Sequence, residues 1–186
     1  IAGNKYMNGA FGRNNEITGV VDYAFGSYNI IDHANNVSMI EEEGGNLAVG
    51  LYNTVNSTGQ TFAMGKGNTA TNTAVRAAAI GESNTVSGRA SIALGFENTS
   101  SGYASTAVGF QNIASFQASF AGGYKSDATN YNAFAYGNDA QASGTNSIAL
   151  GLKTKARGNE SVAIGNLAET ASTATTAIAL GYDVKA

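Results

Sequence analysis

Residues able to carry acid–base or metal chemistry are few and scattered in this chain. Its single histidine, His33, stands in the polar stretch Asp32-His33-Ala34-Asn35-Asn36, with no second histidine and no cysteine to complete a ligand set. Its expected place is an exposed loop, and not a metal or catalytic centre. Glu41-Glu42-Glu43, followed by Gly44-Gly45, is the strongest charge run. Such a run is ordinarily a solvated loop; as a binding element it offers an acidic surface to a basic patch on a partner. Asp22, Asp32, Asp127, Asp139 and Asp183 are spread over several phases of the repeat described below, so no carboxylate pair for glycoside cleavage can be assembled. The Gly-Gly-X-Gly-X-Asp calcium nonapeptide is absent, and Thr69-Ala70-Thr71 and Thr173-Ala174-Thr175 do not recur in register as an ice-binding ladder requires. No catalytic residue, metal or cofactor is expected.

Composition excludes further classes. Of 186 residues, Ala, Gly, Asn, Thr and Ser make up 110, and there is no cysteine, proline or tryptophan. This rules out a disulfide framework and an ordinary Leu-rich helical domain. A net charge of −3, with only 12% charged residues, argues against a phosphate-tracking surface, so nucleic acid is not an expected partner. No run of 18 apolar residues is present to span a bilayer as a helix, and the chain starts at Ile1 without a basic n-region, so it reads as an excised fragment. A hydrophobic content of 43%, with 17 Tyr plus Phe, is too high for a solvated coil.

A repeat organises the rest. Ala-X-Gly, with X mostly apolar, ends at Gly12, Gly26, Gly50, Gly65, Gly81, Gly95, Gly109, Gly123, Gly137, Gly151, Gly165 and Gly181. The period is 14, regular over residues 78–181 and interrupted over 27–77, where a degenerate unit around Ser38-Met39-Ile40 has lost its glycine. Large apolar residues stand one and three before the glycine, as in Ile92-Ala93-Leu94-Gly95, which is the alternation of a strand. Asn follows three after the glycine in seven copies, from Asn15 to Asn112, and a small or β-branched residue five after it predicts a second short strand. A second glycine seven before the anchor (Gly19, Gly88, Gly102, Gly144, Gly158) is expected to reverse the chain at positive φ.

A 14-residue, two-strand unit cannot bury its apolar side chains alone, so it must stack on its neighbours as a parallel β-solenoid. Twelve or thirteen turns at roughly 4.8 Å each give a rod about 60 Å long. The asparagines are expected to stack as a hydrogen-bond ladder. The bulky pair is expected to fill the interior, while the alanines and the serines before them (Ser91/Ala93, Ser147/Ala149) face outward. On that reading Ala93, Ala107, Ala149 and Ala163 line a contact with another chain, beside the repeat glycines Gly95, Gly109, Gly151 and Gly165. Phe96, Phe110 and Tyr124, each following an anchor glycine, form a column that either closes a corner of the roll or covers sugars or an apolar receptor surface.

The runs Asn-Ser-Ile-Ala-Leu-Gly (146–151), Glu-Ser-Val-Ala-Ile-Gly (160–165) and Ala-Ser-Ile-Ala-Leu-Gly (90–95) closely resemble the head repeats of YadA-like trimeric autotransporter adhesins. The resemblance implies a left-handed parallel β-roll, homotrimeric and projected from the outer membrane of a Gram-negative bacterium. It implies attachment to host cells or extracellular matrix, with collagen, fibronectin, laminin and CEACAM-type receptors as partners across the family. The neck, coiled-coil stalk and membrane barrel of that family have no counterpart in residues 1–186, which read as a single head. Residues 32–46, with Asp32, His33, Glu41, Glu42 and Glu43, are the expected receptor contact, because a loop that departs from a rigid repeat adds specificity without disturbing the stack. Two other readings stay open: a trimeric phage tail-spike solenoid that binds or processes polysaccharide, and a structural spacer.

Overall fold

A computed structural model of the chain describes residues 8–18, 21–32, 45–57 and 59–186. Among these residues the regular structure is entirely β. Twelve five-residue strands, from Gly9–Arg13 to Ile178–Tyr182, form one parallel sheet, and eleven two-residue strands, from Glu16–Ile17 to Glu169–Thr170, form a second. Each strand pairs with the same strand one turn along, which is the expected parallel β-solenoid. Ala93 lies opposite Ala79 and Ala107, and Gly95 opposite Gly81 and Gly109.

Irregular spacing leaves this register intact. Leu47–Leu51 pairs with Phe62–Lys66, and Phe62–Lys66 with Ala78–Glu82, anchor on anchor, because the extra residues are taken up between each short strand and the next long one. Tyr23–Ser27 pairs directly with Leu47–Leu51, so no further rung stands between those turns. The degenerate unit at 38–40 lies outside the described residues.

The expected assignment of faces is reversed. Ala24, Ala48, Ala63, Ala79, Ala93, Ala107, Ala149 and Ala163 are all fully buried inside the roll, whereas Ile92 is 43% and Leu94 41% exposed. The two sheets lie so close that the interior admits little beyond a methyl group from the long strand, facing small residues such as Val86, Ser100 and Ala114 from the short one. Bulky side chains at this position overfill the roll, so the alternation resolves with alanine inward. The serines also turn inward: Ser91 and Ser147 are buried, and each Oγ donates to the carbonyl three residues back, Gly88 and Gly144, at 2.6 Å. The residue five after the glycine is interior, as at Ile31, Val55, Val86 and Ala114.

The second glycine also has a different role from the one its position predicts. Gly88, Gly102, Gly144 and Gly158 are not at positive φ; that conformation falls two residues later, on Ala90, Ala104, Asn146 and Glu160. Gly19 lies outside the described residues. What these glycines supply is close approach, since a Cβ on Gly102 would sit 2.0 Å from the carbonyl oxygen of Phe116 in the next turn. Anchor glycines combine both demands: Gly95 has φ of 121° and its Cβ would meet the Gly109 oxygen at 2.1 Å.

The asparagine ladder forms as expected and is continuous from Asn15 to Asn112. Taking Asn98 as the unit, its Nδ2 donates to Asn84 Oδ1 (3.0 Å), to the Leu94 carbonyl (3.1 Å) and to the Gly109 carbonyl of the next turn (2.7 Å). Its own Oδ1 accepts from the backbone N and Nδ2 of Asn112 at 3.0 and 2.9 Å. A buried amide thus supplies donors and acceptors in the proportion the corner lacks. The ladder ends where Ser126 N donates to Asn112 Oδ1 at 2.9 Å.

Candidate interaction surface

Of the acidic contact region read from the sequence, Asp32 is described, and it is exposed with Oδ1 accepting from Thr18 Oγ1 at 2.6 Å. His33, Glu41, Glu42 and Glu43 lie outside the described residues. The Asp32 amide donates to the Val55 carbonyl at 2.9 Å, which ties this residue to the following turn.

With alanine inward, the outward face of the long sheet carries the large apolar residues in two parallel columns. One column runs through Phe62, Ala78, Ile92, Thr106, Phe120, Phe134, Ile148, Val162 and Ile178, and the other through Met64, Ile80, Leu94, Val108, Gly122, Tyr136, Leu150, Ile164 and Leu180. The second column continues below Met64 through Val49 and Phe25 to Phe11, and Phe11–Phe25 and Phe120–Phe134 stack within the columns at 4.8 and 4.9 Å. Apart from Ala78, Thr106 and Gly122 these positions are large and apolar, on a roll whose own core is already closed. The sequence pattern contains it, but only the burial of the alanines shows which half of the alternation it is.

The column Phe96–Phe110–Tyr124 also forms. Its rings stack face on face at 5.1 Å with interplanar angles of 10° and 8°, and Lys125 Nζ lies 5.3 Å from the Tyr124 centroid. Ring faces are therefore consumed within the column and edges face outward, so it offers no platform to a sugar.

Charge on the short-sheet face is sparse, and one carboxylate is perturbed there. Burial, and then the nearby charge of Asp139, push the Asp127 carboxyl above its ordinary value. A carboxyl raised in the folded state stabilises fully below its unfolded value, and that contribution is lost as pH rises through the folded value. Asp127→Asn is therefore expected to raise the melting temperature near pH 7 and to make no gain near pH 4. Thermal melts of both proteins at the two pH values measure this, and equal melting near pH 7 would contradict it. Among the described residues no group of three or more His, Asp or Glu is placed to hold a metal ion.

The family model for the YadA head domain repeat, built as two copies, matches residues 73–98, 100–126, 128–154 and 142–168, together about half of the chain. The chain belongs to this family. Each matched segment spans about two turns of the roll, and apart from residues 73–77 the matches lie in the regular repeats of this YadA-type head. No curated protein sequence matches the chain.

Proposed function

We propose that this head is a non-catalytic adhesion module, assembled as a homotrimer and displayed on the surface of a Gram-negative bacterium, where it binds a host-cell or matrix protein. The observation that carries this reading is the outward apolar face of the long sheet. Fully burying one such Leu, Ile or Phe contributes roughly 1.5–3 kcal/mol, and two columns of them left in water along a dozen rungs would promote aggregation. Three identical faces turned toward a common axis cover one another and close the assembly. Family membership supports surface display and an adhesive role. Scattered carboxylates and a lone histidine support binding without catalysis.

Receptor contact is assigned to residues 32–46, since a surface repeated every turn offers many similar weak sites and this excursion offers a distinct one. The test is binding of the full chain to immobilised collagen, fibronectin, laminin and CEACAM-type ectodomains. At least one should be bound, and the triple variant Glu41→Gln, Glu42→Gln, Glu43→Gln should bind it several-fold more weakly with a flatter salt dependence and unchanged melting, as exposed charges steer association but contribute little to stability. Unchanged affinity and salt dependence would move the contact to the repeat faces. Depolymerisation of a polysaccharide by the head would overturn the adhesin reading in favour of a tail-spike enzyme.

A further inference from the structure

A second surface stands apart from the apolar face. The corners leading from each short strand into the next long one carry exposed aromatic residues on three successive turns: Tyr103 (55% exposed), Phe116 (41%) and Tyr131 (49%). These corners stack through their backbones. The amide of Ala104 donates to the Arg89 carbonyl, Ala118 to Tyr103, Asn132 to Gln117 and Asn146 to Tyr131, at 2.8, 2.8, 3.0 and 2.9 Å. Tyr103, Gln117 and Tyr131 therefore occupy one column at rung spacing, each followed by a residue locked at φ of 52–53°.

The last of these corners is held by more than its backbone. Asn130 Oδ1 accepts from the Tyr131 amide (2.9 Å) and from Thr145 Oγ1 (3.2 Å), its Nδ2 donates to the Ser143 carbonyl (3.0 Å), and Phe116 meets the Tyr131 ring edge to face at 5.3 Å. The Tyr131 ring, held in this way, loses little freedom when a ligand is bound. Residues 102–104, 116–118 and 130–132 contain no charged side chain; the nearest in the stack are Arg89 below and Glu160 above.

We propose that this corner binds an uncharged, extended polysaccharide, with Tyr103 and Tyr131 as platforms for pyranose rings and Gln117 between them as the hydrogen-bonding group. Two rungs separate the tyrosines, roughly 10 Å along the roll, which is the spacing of every second ring in an extended β-linked glycan. A pyranose presents axial C–H groups on one face and hydroxyls around its rim, and it is matched by an aromatic body with a polar tip beside an amide. Arg89 lies one rung below Tyr103, but no charged side chain stands between Tyr103 and Tyr131 in the column to pair with a sulfate or carboxylate, so the stretch spanned by the two tyrosines favours a neutral polymer. The stacked Phe96 column has the same residue types but no free ring faces, which is why it is not the site. This inference rests on the binding-module reading and names a partner class for it, at a place distinct from residues 32–46.

Isothermal titration of the full chain with cellohexaose and chitohexaose tests it, with the coiled maltohexaose and a heparin hexasaccharide as controls. Binding is expected for at least one of the two extended neutral glycans and for neither control. Tyr103→Ala and Tyr131→Ala should each weaken it at least tenfold and Gln117→Ala several-fold, while Tyr28→Ala, placed in a different stack with Tyr52, leaves it unchanged. Circular dichroism and light scattering of each variant should match the parent. No heat with either extended glycan up to millimolar concentration would overturn the proposal, as would parent-like affinity in Tyr103→Ala and Tyr131→Ala. A changed assembly mass in those variants would also overturn it, by making the corner a contact between copies. Protein-receptor binding that persists without glycan heat sinks this inference alone, whereas glycan binding followed by chain cleavage sinks the adhesin reading and leaves the corner site standing.

Discussion

Lysine at Leu94, Leu150 and Ile164 together should convert the proposed trimer into a folded monomer, whereas lysine at Ala93, Ala149 and Ala163 should abolish the fold. The two sets differ by one position along the same strands. Leu94, Leu150 and Ile164 project from the outer face, where a lysine in the monomer extends into water, while in the proposed trimer three charges per rung would meet in an apolar contact. The alanines are fully buried between sheets that have room for a methyl group. A lysine there adds three carbons and an ammonium group to a filled space and a charge with no partner, and three such substitutions together exceed the stability of a domain of this size. Light scattering and far-ultraviolet circular dichroism separate the outcomes. An outer-face variant that remains trimeric at micromolar concentration would remove that face from the interface; an inner variant with parent-like spectrum and melting would mean that the alanines are not core.

Replacing the buried Asn98 by aspartate should cost several kcal/mol near neutral pH, in the range of roughly 3–5 kcal/mol measured for leaving a buried charge uncompensated. The side-chain nitrogen of Asn98 points at three acceptors: Asn84 Oδ1 and the carbonyls of Leu94 and Gly109. A carboxylate oxygen in that place faces three oxygens and finds no donor. Such an environment raises the carboxyl's pKa in the folded state above the unfolded value, so the protonated form is favoured. Stability from that group is then present below the unfolded value and is lost as pH rises through the folded one. Urea melts should therefore rank the parent above Asn98→Ala and Asn98→Ala above Asn98→Asp near pH 7, with the last two converging near pH 4. Parent-like stability of Asn98→Asp near pH 7 would show that the ladder contributes nothing to the fold.

The asparagine ladder also marks how far the sequence can be read. Asn15, Asn29, Asn53, Asn68, Asn84, Asn98 and Asn112 keep a constant distance from the anchor glycine even where the anchors are 24, 15 or 16 apart. That constancy predicts the side-chain stack, because strands of identical register bring identical residues together, while the place of the insertions after the short strand comes from the pairing of the long strands. The anchor motif likewise made the parallel pairing legible, and it accounts for the agreement between the expected solenoid and the two sheets of twelve and eleven strands.

Three features of the surface were not legible in this way. Which turn contacts Tyr103 and Tyr131 make depends on corners whose residues change from turn to turn. Gly102 looks like a reversal residue in the sequence, yet its absent side chain is required by Phe116, fourteen residues later and one rung away. The Phe96 column was foreseen as a column, but whether its rings would turn their faces or their edges outward follows only from the 5.1 Å stacking.

Residues recurring at a constant interval are enough to read the period, the pairing of each strand with its own repeat, the amide ladder and the family. The faces needed the folded roll. An alternating strand states which residues share a side and is silent on which side is inside, since inversion leaves the pattern unchanged. The separation of the two sheets breaks that symmetry: a roll this thin holds alanine, serine and valine and excludes leucine and phenylalanine, and so puts the large apolar residues where another chain can cover them.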